Sequence, residues 1–337
     1  MEELRVPFED LVAALTSCLI KNGFEQERAF RSATLFAQAD LDGVYSHGVN
    51  RFWRFIEYVE SGYVDPKAIP TKLSQIHIFE RWNGNLGAGN LNAEFAMDRA
   101  IALSNEFGIG CVALQNTNHW MRAGNFGWQA VAQNCIGICF TNTKANMPAW
   151  GGSEPKLGNN PLVIAIPRAN GPLVLDMAMS QFAYGKMTLA QEKGEMMPFE
   201  AGFDENGNLT KNPISILKNE MALPTGLWKG SGLALMLDLL AAILSGGQSV
   251  HEIQSGGEES GLSQVFIAID PNKLELMDWM EAKADLILVD LKGSATFPGK
   301  SVRYPGEQVL AIRNENMEKG IPLSLDFWNK LKNEINE

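Results

Sequence analysis

The sequence predicts an α/β fold in which a sheet-containing middle is flanked by a helical layer built from both chain ends. Three observations support this prediction. Apolar residues recur at helical spacing through about residue 65, apolar β-type runs dominate the middle, and helical spacing returns from residue 309. We therefore expect a helical layer formed by residues 1–70 and about 300–337, and a mixed α/β domain at 71–299.

The amino-terminal layer begins with two amphipathic helices, predicted over residues 8–21 and about 25–39. A polar, glycine-marked turn follows at 41–48. Because serine is a favoured N-cap residue, a third helix is predicted to start at Ser46 and to end near Gly62.

The middle of the chain alternates apolar runs with helices. Residues 76–82 predict a strand, 230–245 a strongly apolar buried helix, and 247–262 a mobile acidic loop. The other predicted elements are strands at 109–114, 136–140, 162–166, 173–175 and 264–269, and helices at 92–107, 125–133, 309–318 and 323–333.

The composition is that of an ordinary globular protein. The 337 residues are 45% hydrophobic and 20% charged, which excludes wholesale disorder. A net charge of −11 argues against nucleic acid as the main partner, since phosphate binding needs cationic surface. The longest apolar stretch, 232–244, is too short to span a bilayer, and the first residues lack the apolar core of a signal peptide. We therefore expect a cytoplasmic protein with no membrane partner.

Four cysteines, Cys18, Cys111, Cys135 and Cys139, are expected to be reduced thiols. Cys135 and Cys139 are four residues apart, but no second Cys/His pair completes a zinc site. No metal is expected.

The first polar cluster contains Ser46, His47 and Arg51. If a helix starts at Ser46, the imidazole and the guanidinium share one face. Such a pair suits a substrate, because Arg51 can grip a carboxylate while His47 handles a proton nearby. The same residues are also compatible with a capping serine, a surface arginine and a half-buried histidine.

The second polar cluster, residues 115–124, contains His119 and follows a predicted strand. Polar groups beyond a strand end are a common place for a site, although the asparagines here could equally satisfy local backbone groups. The two remaining histidines are assigned no chemistry, because His77 lies in a predicted strand and His251 in the predicted acidic loop.

Two further features are compatible with a nucleotide. Trp228 and Lys229 precede glycines at the start of an apolar helix, which suits a phosphate or, alternatively, a tight packing turn. Asp176 ends an apolar strand, where it could accept a sugar hydroxyl or cap a turn. No GxGxxG follows a strand, and GxSxG and HExxH motifs are missing from the sequence.

Three segments together, 43–52 (GVYSHGVNRF), 118–122 (NHWMR) and 202–210 (GFDENGNLT), resemble the malate/L-lactate dehydrogenase type 2 family. The similarity extends from about residue 6 to 335 and is thinnest at about 273–300. It implies an NAD(P)-dependent oxidoreductase of small 2-oxo or 2-hydroxy acids, with a non-Rossmann cofactor domain. It also implies a homodimer, with the helical layer on the substrate and dimer side.

The resemblance also implies roles for individual residues. The histidine of the SHG motif falls on His47, as proton donor, while some members use the NHW histidine, which falls on His119. The residues expected to bind cofactor are Pro172, Leu173, Val174, Leu175, Asp176, Met177, Ala178, Trp228, Lys229, Gly306, Glu307 and Gln308. Where relatives commonly have Gly-Thr-Asn-Pro, residues 158–161 read Gly-Asn-Asn-Pro, which removes a hydroxyl from this loop.

The resemblance further implies hydride transfer from NADH to a carbonyl of a small 2-oxo sugar acid, 2,3-diketo-L-gulonate. His47 would protonate the oxygen, Arg51 would hold the carboxylate, and Ser46 and His119 would position the oxygen. Lys229 would meet cofactor phosphate. The alternatives are NADPH as cofactor, a dehydrogenase of malate, lactate, ureidoglycolate or a cyclic imino acid, a non-catalytic sugar-acid or nucleotide-binding protein, and a purely structural dimer.

Overall fold

The computed structural model describes residues 4–336. The helices are α1 Phe8–Lys21, α2 Gln26–Leu41, α3 Phe52–Glu60, α4 Gly89–Phe107, α5 Gly124–Ala132, α6 Tyr184–Glu192, α7 Pro213–Asn219, α8 Trp228–Ser245, α9 Val250–Gly256, α10 Met277–Lys292, α11 Glu307–Lys319 and α12 Leu325–Asn336. The strands are β1 Leu4–Val6, β2 Thr71–Ile76, β3 Phe79–Asn83, β4 Ile109–Asn118, β5 Ile136–Thr141, β6 Met147–Pro148, β7 Pro155–Leu157, β8 Leu162–Ile166, β9 Leu173–Met177, β10 Gly202–Phe203, β11 Leu209–Thr210, β12 Ser260–Ile269 and β13 Ile321–Leu323.

A seven-stranded sheet with the order β2-β3-β4-β12-β5-β8-β9 forms the middle of the protein. Strands β3 and β4 run parallel, and the other neighbouring pairs are antiparallel. A doubly wound nucleotide-binding fold requires a mostly parallel sheet. The topology therefore explains why its glycine fingerprint is missing.

Helices cover both faces of this sheet. Adjacent residues of β12 point to opposite faces, as the period of a strand requires. Phe266 packs with Val112 under α4 and α5, whereas Val265 packs with Ala234 and Leu237 of α8. The predicted α/β class is confirmed.

The helices of the two chain ends share a second core. Leu15 of α1, Phe36 of α2, Phe52 of α3 and Leu331 of α12 are buried together. Strand β1 pairs with β13 and joins the two ends directly. The division into residues 1–70 with 300–337 and a domain at 71–299 stays a prediction.

The predictions for residues 76–82 and 247–262 were wrong. The strand at 76–82 is a hairpin, because His77 adopts a φ of 50° between β2 and β3; this histidine therefore lies in a turn. Residues 247–262, predicted as an acidic loop, contain helix α9. A capping box formed by Ser249 and Glu252 stabilises the start of this helix. His251 is exposed on that helix.

Helix α8 was predicted to be buried, but only one side of it is. Ala234, Leu237 and Ala241 face the sheet. Asp238 accepts hydrogen bonds from Asn142 Nδ2 and the backbone of Val250, both at 2.9 Å. Within residues 4–336, α8 is the one helix with the length and composition of a membrane span, and 39% of it is buried. Its packing on the sheet and its bonded carboxylate are features of a core helix of a globular protein.

All four cysteines are free thiols. Cys18, Cys135 and Cys139 are buried and Cys111 is partly buried. In the described part of the chain, no group of three or more His, Cys, Asp or Glu side chains is arranged to hold a metal ion.

Candidate active site

A cavity of about 960 Å³ lies where the helical layer meets the ends of the central strands. Its volume is at the upper end of the range for ligand pockets, about 300–1,000 Å³. The cavity brings together residues from both polar clusters and from β9. The predicted site residues that line it are Ser46, His47, Arg51, His119, Val174, Leu175, Asp176, Ala178 and Gly306.

His47 and Arg51 lie in two consecutive 3₁₀ turns, Tyr45–His47 and Val49–Arg51, and helix α3 starts only after them. The prediction of a helix capped by Ser46 was therefore wrong. The buried carboxylate of Asp40 explains the difference, because its Oδ2 accepts the backbone N–H of Val49 at 2.8 Å. Gly48 leaves room for this contact, since a Cβ there would lie 2.1 Å from Asp40 Oδ2.

The two histidines stack across the cavity wall. Their ring centroids are 6.1 Å apart and their planes are 17° from parallel. His47 Nδ1 shares a hydrogen bond with Ser46 Oγ at 2.9 Å. His119 Nδ1 accepts the backbone N–H of Met121 at 3.0 Å, so the neutral ring of His119 carries its proton on Nε2. Residues 115–118 belong to β4 rather than to a loop, which places His119 directly at the strand end.

Both imidazoles are neutral at neutral pH. Burial, followed by the charge of Arg51, lowers the pKa of His47 to about 3. Burial and the same arginine lower the pKa of His119 well below its usual value. The cavity therefore disfavours additional positive charge and favours an anionic ligand.

Arg51 is a cation available to such a ligand, and Arg54 and Lys144 also line the cavity. Arg51 lines the cavity and forms no hydrogen bond or ion pair with any other residue in the described range. Burial lowers its pKa, and Glu259 is the largest charge acting in the opposite direction. An arginine without a protein partner in a cavity offers two parallel N–H donors to a carboxylate.

Arg122 also lines the cavity, but it is already paired. It is 2% exposed and forms an ion pair with the buried carboxylate of Asp42. Arg313 of α11 donates to the same carboxylate at 2.6 and 2.8 Å. Arg122 thus ties the segment between β4 and α5 to the end of α2 and to α11, a link that motif spacing did not predict.

Asp176 lies at the end of β9, with its side chain accessible in the cavity. Its Oδ2 accepts the backbone N–H of Gly124 at 2.8 Å. Desolvation by the surrounding walls raises the pKa of Asp176, and the nearby charge of Arg122 acts in the opposite direction.

Some expected cofactor residues do not line the cavity. These are Pro172, Leu173, Met177, Trp228, Lys229, Glu307 and Gln308. Trp228 is 63% exposed at the start of α8. Glu307 pairs with Lys292 and Gln308 accepts from Arg303 at 2.7 Å.

Several polar residues of the wall belong to no motif and were not predicted. They are Arg54, Lys144, Asn146, Tyr184 and Glu259. Asn159, which stands where relatives commonly have threonine, also lies at the wall. Its Oδ1 accepts hydrogen bonds from Thr143 Oγ1 at 3.1 Å and Asn146 Nδ2 at 3.0 Å. The amide thus fixes the loop that carries it.

The cavity fits a nicotinamide cofactor in size and polarity. Three buried polar atoms of residues at its wall lack a partner within residues 4–336, namely Arg122 Nε, Trp128 Nε1 and Asn146 Oδ1. Buried polar atoms are nearly always satisfied in native proteins, so these groups suit a polar ligand. Gly306 has a φ of 93°, and its turn packs against Val174. A Cβ at position 306 would lie 3.0 Å from the backbone nitrogen of Val174.

Known proteins resemble the chain along almost its whole length. A family model described as malate/L-lactate dehydrogenase matches residues 6–332. The 2,3-diketo-L-gulonate reductase of Escherichia coli K12 is 44% identical over 332 residues, which cover 98% of this chain and 99% of the relative.

Solved structures agree with this similarity. The malate dehydrogenase of Entamoeba histolytica superposes with a TM-score of 0.94 at 26% identity, covering 100% of this chain and 99% of that one. The sulfolactate dehydrogenase of Methanocaldococcus jannaschii superposes with a TM-score of 0.90 at 31% identity, covering 99% and 97%. Dehydrogenases of this kind use a nicotinamide cofactor and a small-molecule acid. The chain therefore belongs to the malate/L-lactate dehydrogenase family of oxidoreductases.

Proposed function

We propose that the protein is an NADH-dependent reductase of a carbonyl group in 2,3-diketo-L-gulonate. The observation that carries this proposal is the unpaired guanidinium of Arg51 beside the neutral imidazoles of His47 and His119 in one cavity. A free guanidinium suits a carboxylate, and the adjacent imidazoles suit proton exchange with a carbonyl oxygen. The activity of the E. coli relative supports a 2-oxo sugar acid as substrate.

Each side chain has a defined task in this proposal. Arg51 binds the carboxylate and thereby selects which carbonyl is presented for reduction. His47 gives a proton to the oxygen, and Ser46 holds His47 through the bond at Nδ1. His119 donates a hydrogen bond from Nε2 to the same oxygen.

Protonation of His47 depends on the substrate. In the free protein, burial and Arg51 hold the pKa of His47 at about 3. A carboxylate bound to Arg51 offsets much of the arginine's charge, so the pKa of His47 rises when substrate is bound. A carboxylate on Arg51 thus favours the acid form of His47.

A nicotinamide held in this cavity would supply the hydride. We propose that Val174, Leu175, Asp176, Ala178 and Gly306, which line the cavity, hold the cofactor, with Asp176 accepting a ribose hydroxyl. The cavity wall also carries Glu192 and Glu220. Because these acids disfavour an additional phosphate, we propose NADH rather than NADPH. The four unpaired cysteines are compatible with the reducing cytoplasm, where we place the enzyme.

A substrate panel followed by NADH absorbance tests the function. We expect the highest kcat/KM with 2,3-diketo-L-gulonate, lower values with oxaloacetate, pyruvate and a cyclic imino acid, and lower activity with NADPH. Preferred turnover of another acid would contradict the assigned substrate. Absence of turnover with every acid would indicate a binding protein instead.

We further propose that two copies associate through the exposed side of α8, which lies outside the helical layer that was expected on the dimer side. An apolar stripe follows one face of this helix and is 40–71% exposed, comprising Leu233, Met236, Leu240 and Ile243. Continuous apolar surface of this kind is typical of an interface. Trp228 and Lys229 lie at the start of the same helix, so we propose that they contact a cofactor bound to the other copy.

Sedimentation of the purified protein is expected to give twice the mass of one chain. Replacing both Met236 and Ile243 with glutamate should yield monomers, because the charges would be desolvated at the contact. A wild-type monomer, or a variant that remains a dimer, would place the interface elsewhere.

A further inference from the structure

One carboxylate of the cavity has no task in the reaction described so far. Glu259 lies in the loop between α9 and β12 and lines the cavity with Arg51 and His119. In the pairing of β12 with β4, Ser260 lies opposite Asn118. Antiparallel register therefore brings Glu259 next to His119, at the place where the substrate carbonyl is proposed to lie.

The position of Glu259 is well defined. Its Oε1 accepts the backbone N–H of Lys144 at 3.3 Å. Ser260 Oγ donates to Asn118 Oδ1 at 3.0 Å and anchors the loop to β4. Among the residues described, Glu259 forms no ion pair and its Oε2 has no hydrogen-bond partner. One carboxylate oxygen thus stays free to accept a hydrogen bond from a ligand.

We infer that Glu259 determines specificity by accepting a hydroxyl of the substrate chain and by repelling a second carboxylate. This inference rests on the proposed function, because it takes Arg51 as the site of the substrate carboxylate. A sugar acid carries hydroxyl donors beyond its carbonyl, oxaloacetate carries a carboxylate there, and pyruvate carries neither. An ionised carboxylate only accepts hydrogen bonds, so it distinguishes these three acids.

The neighbouring acid provides a matched control. Glu258 is exposed, does not line the cavity, and accepts the hydroxyl of Tyr58 at 2.7 Å. A change at Glu258 alters the same loop and the same net charge without touching the cavity.

The test compares Glu259→Gln with Glu258→Gln at saturating NADH on the three acids. The Glu259→Gln side chain keeps an oxygen for the N–H of Lys144 but presents an amide donor to the ligand. We expect kcat/KM for 2,3-diketo-L-gulonate to fall by about 10- to 100-fold, the range for hydrogen bonds to charged groups. The value for pyruvate should stay within about twofold, since it lacks the contacting group. The value for oxaloacetate should rise, because a repulsion is removed.

The outcomes separate this inference from the proposed function. Parallel changes on all three acids, or an equal effect of Glu258→Gln, would overturn the role of Glu259. If the wild type does not reduce 2,3-diketo-L-gulonate, the proposed substrate is wrong. In that case, the ratio of kcat/KM for oxaloacetate to kcat/KM for pyruvate alone tests the role of Glu259. If this ratio is the same in Glu259→Gln as in the wild type, the inference is overturned.

Discussion

Replacing Arg51 with methionine is expected to lower kcat/KM for the acid substrate by about 30- to 5,000-fold. This range corresponds to about 2–5 kcal/mol, the cost of truncating one partner of a desolvated charge pair. The loss should be large because the Arg51 side chain forms no hydrogen bond or ion pair within residues 4–336, so all of its N–H donors are available to the ligand. Methionine keeps much of the volume, so the cavity should persist.

An ester substrate provides the control for Arg51→Met. Methyl pyruvate lacks the carboxylate, so its turnover should change little relative to that of pyruvate. Arg51→Lys should recover part of the activity on the acid, since it restores the charge without the fork of two donors. Equal losses on acid and ester would show that Arg51 acts on the structure of the site instead of on the carboxylate.

The substitution His47→Asn is expected to lower kcat by about 10²- to 10⁴-fold, the usual contribution of a positioned general acid. Asparagine can still accept or donate a hydrogen bond beside Ser46, so the 3₁₀ turns should be retained. KM should change little, because substrate affinity is assigned to Arg51.

Two further histidines serve as comparisons. His77 lies in the hairpin turn outside the cavity, so His77→Asn should leave turnover unchanged. His119→Asn should have a smaller effect than His47→Asn, because it removes a hydrogen bond and not the proton. If His47→Asn keeps near-wild-type turnover while His119→Asn loses it, the two roles are reversed.

Local patterns predicted the regular elements better than the turns between them. Strand β8 occupies the predicted residues 162–166, where an apolar run is bounded by proline at both ends. The turn at His77 carries no glycine or asparagine to mark its positive φ. Helix α9 could have been predicted, because Ser249 and Glu252 form a capping box. The glycines and acidic residues that follow it favoured the prediction of a loop instead.

The candidate site was predictable only where its residues form short motifs. The SHG and NHW segments contain His47 and His119, yet their stacking depends on contacts between elements far apart in the chain. Arg122 and Arg313 share Asp42 as their partner. Pairs between residues so far apart in the chain produce no spacing pattern in the sequence. Glu259 is brought to the cavity by strand register, which is likewise a tertiary property.

The pH dependence of kcat/KM in both directions tests most directly the claim that His47 transfers the proton. Since the pKa of His47 in the free protein is about 3, its acid form becomes tenfold rarer with each pH unit between 5 and 8. We expect kcat/KM for reduction to fall tenfold per pH unit over this range and kcat/KM for oxidation to stay constant. In His47→Asn, we expect kcat/KM for reduction to be constant and kcat/KM for oxidation to depend on pH instead. Identical profiles for wild type and His47→Asn, or a wild-type break near pH 6.5, would contradict this claim.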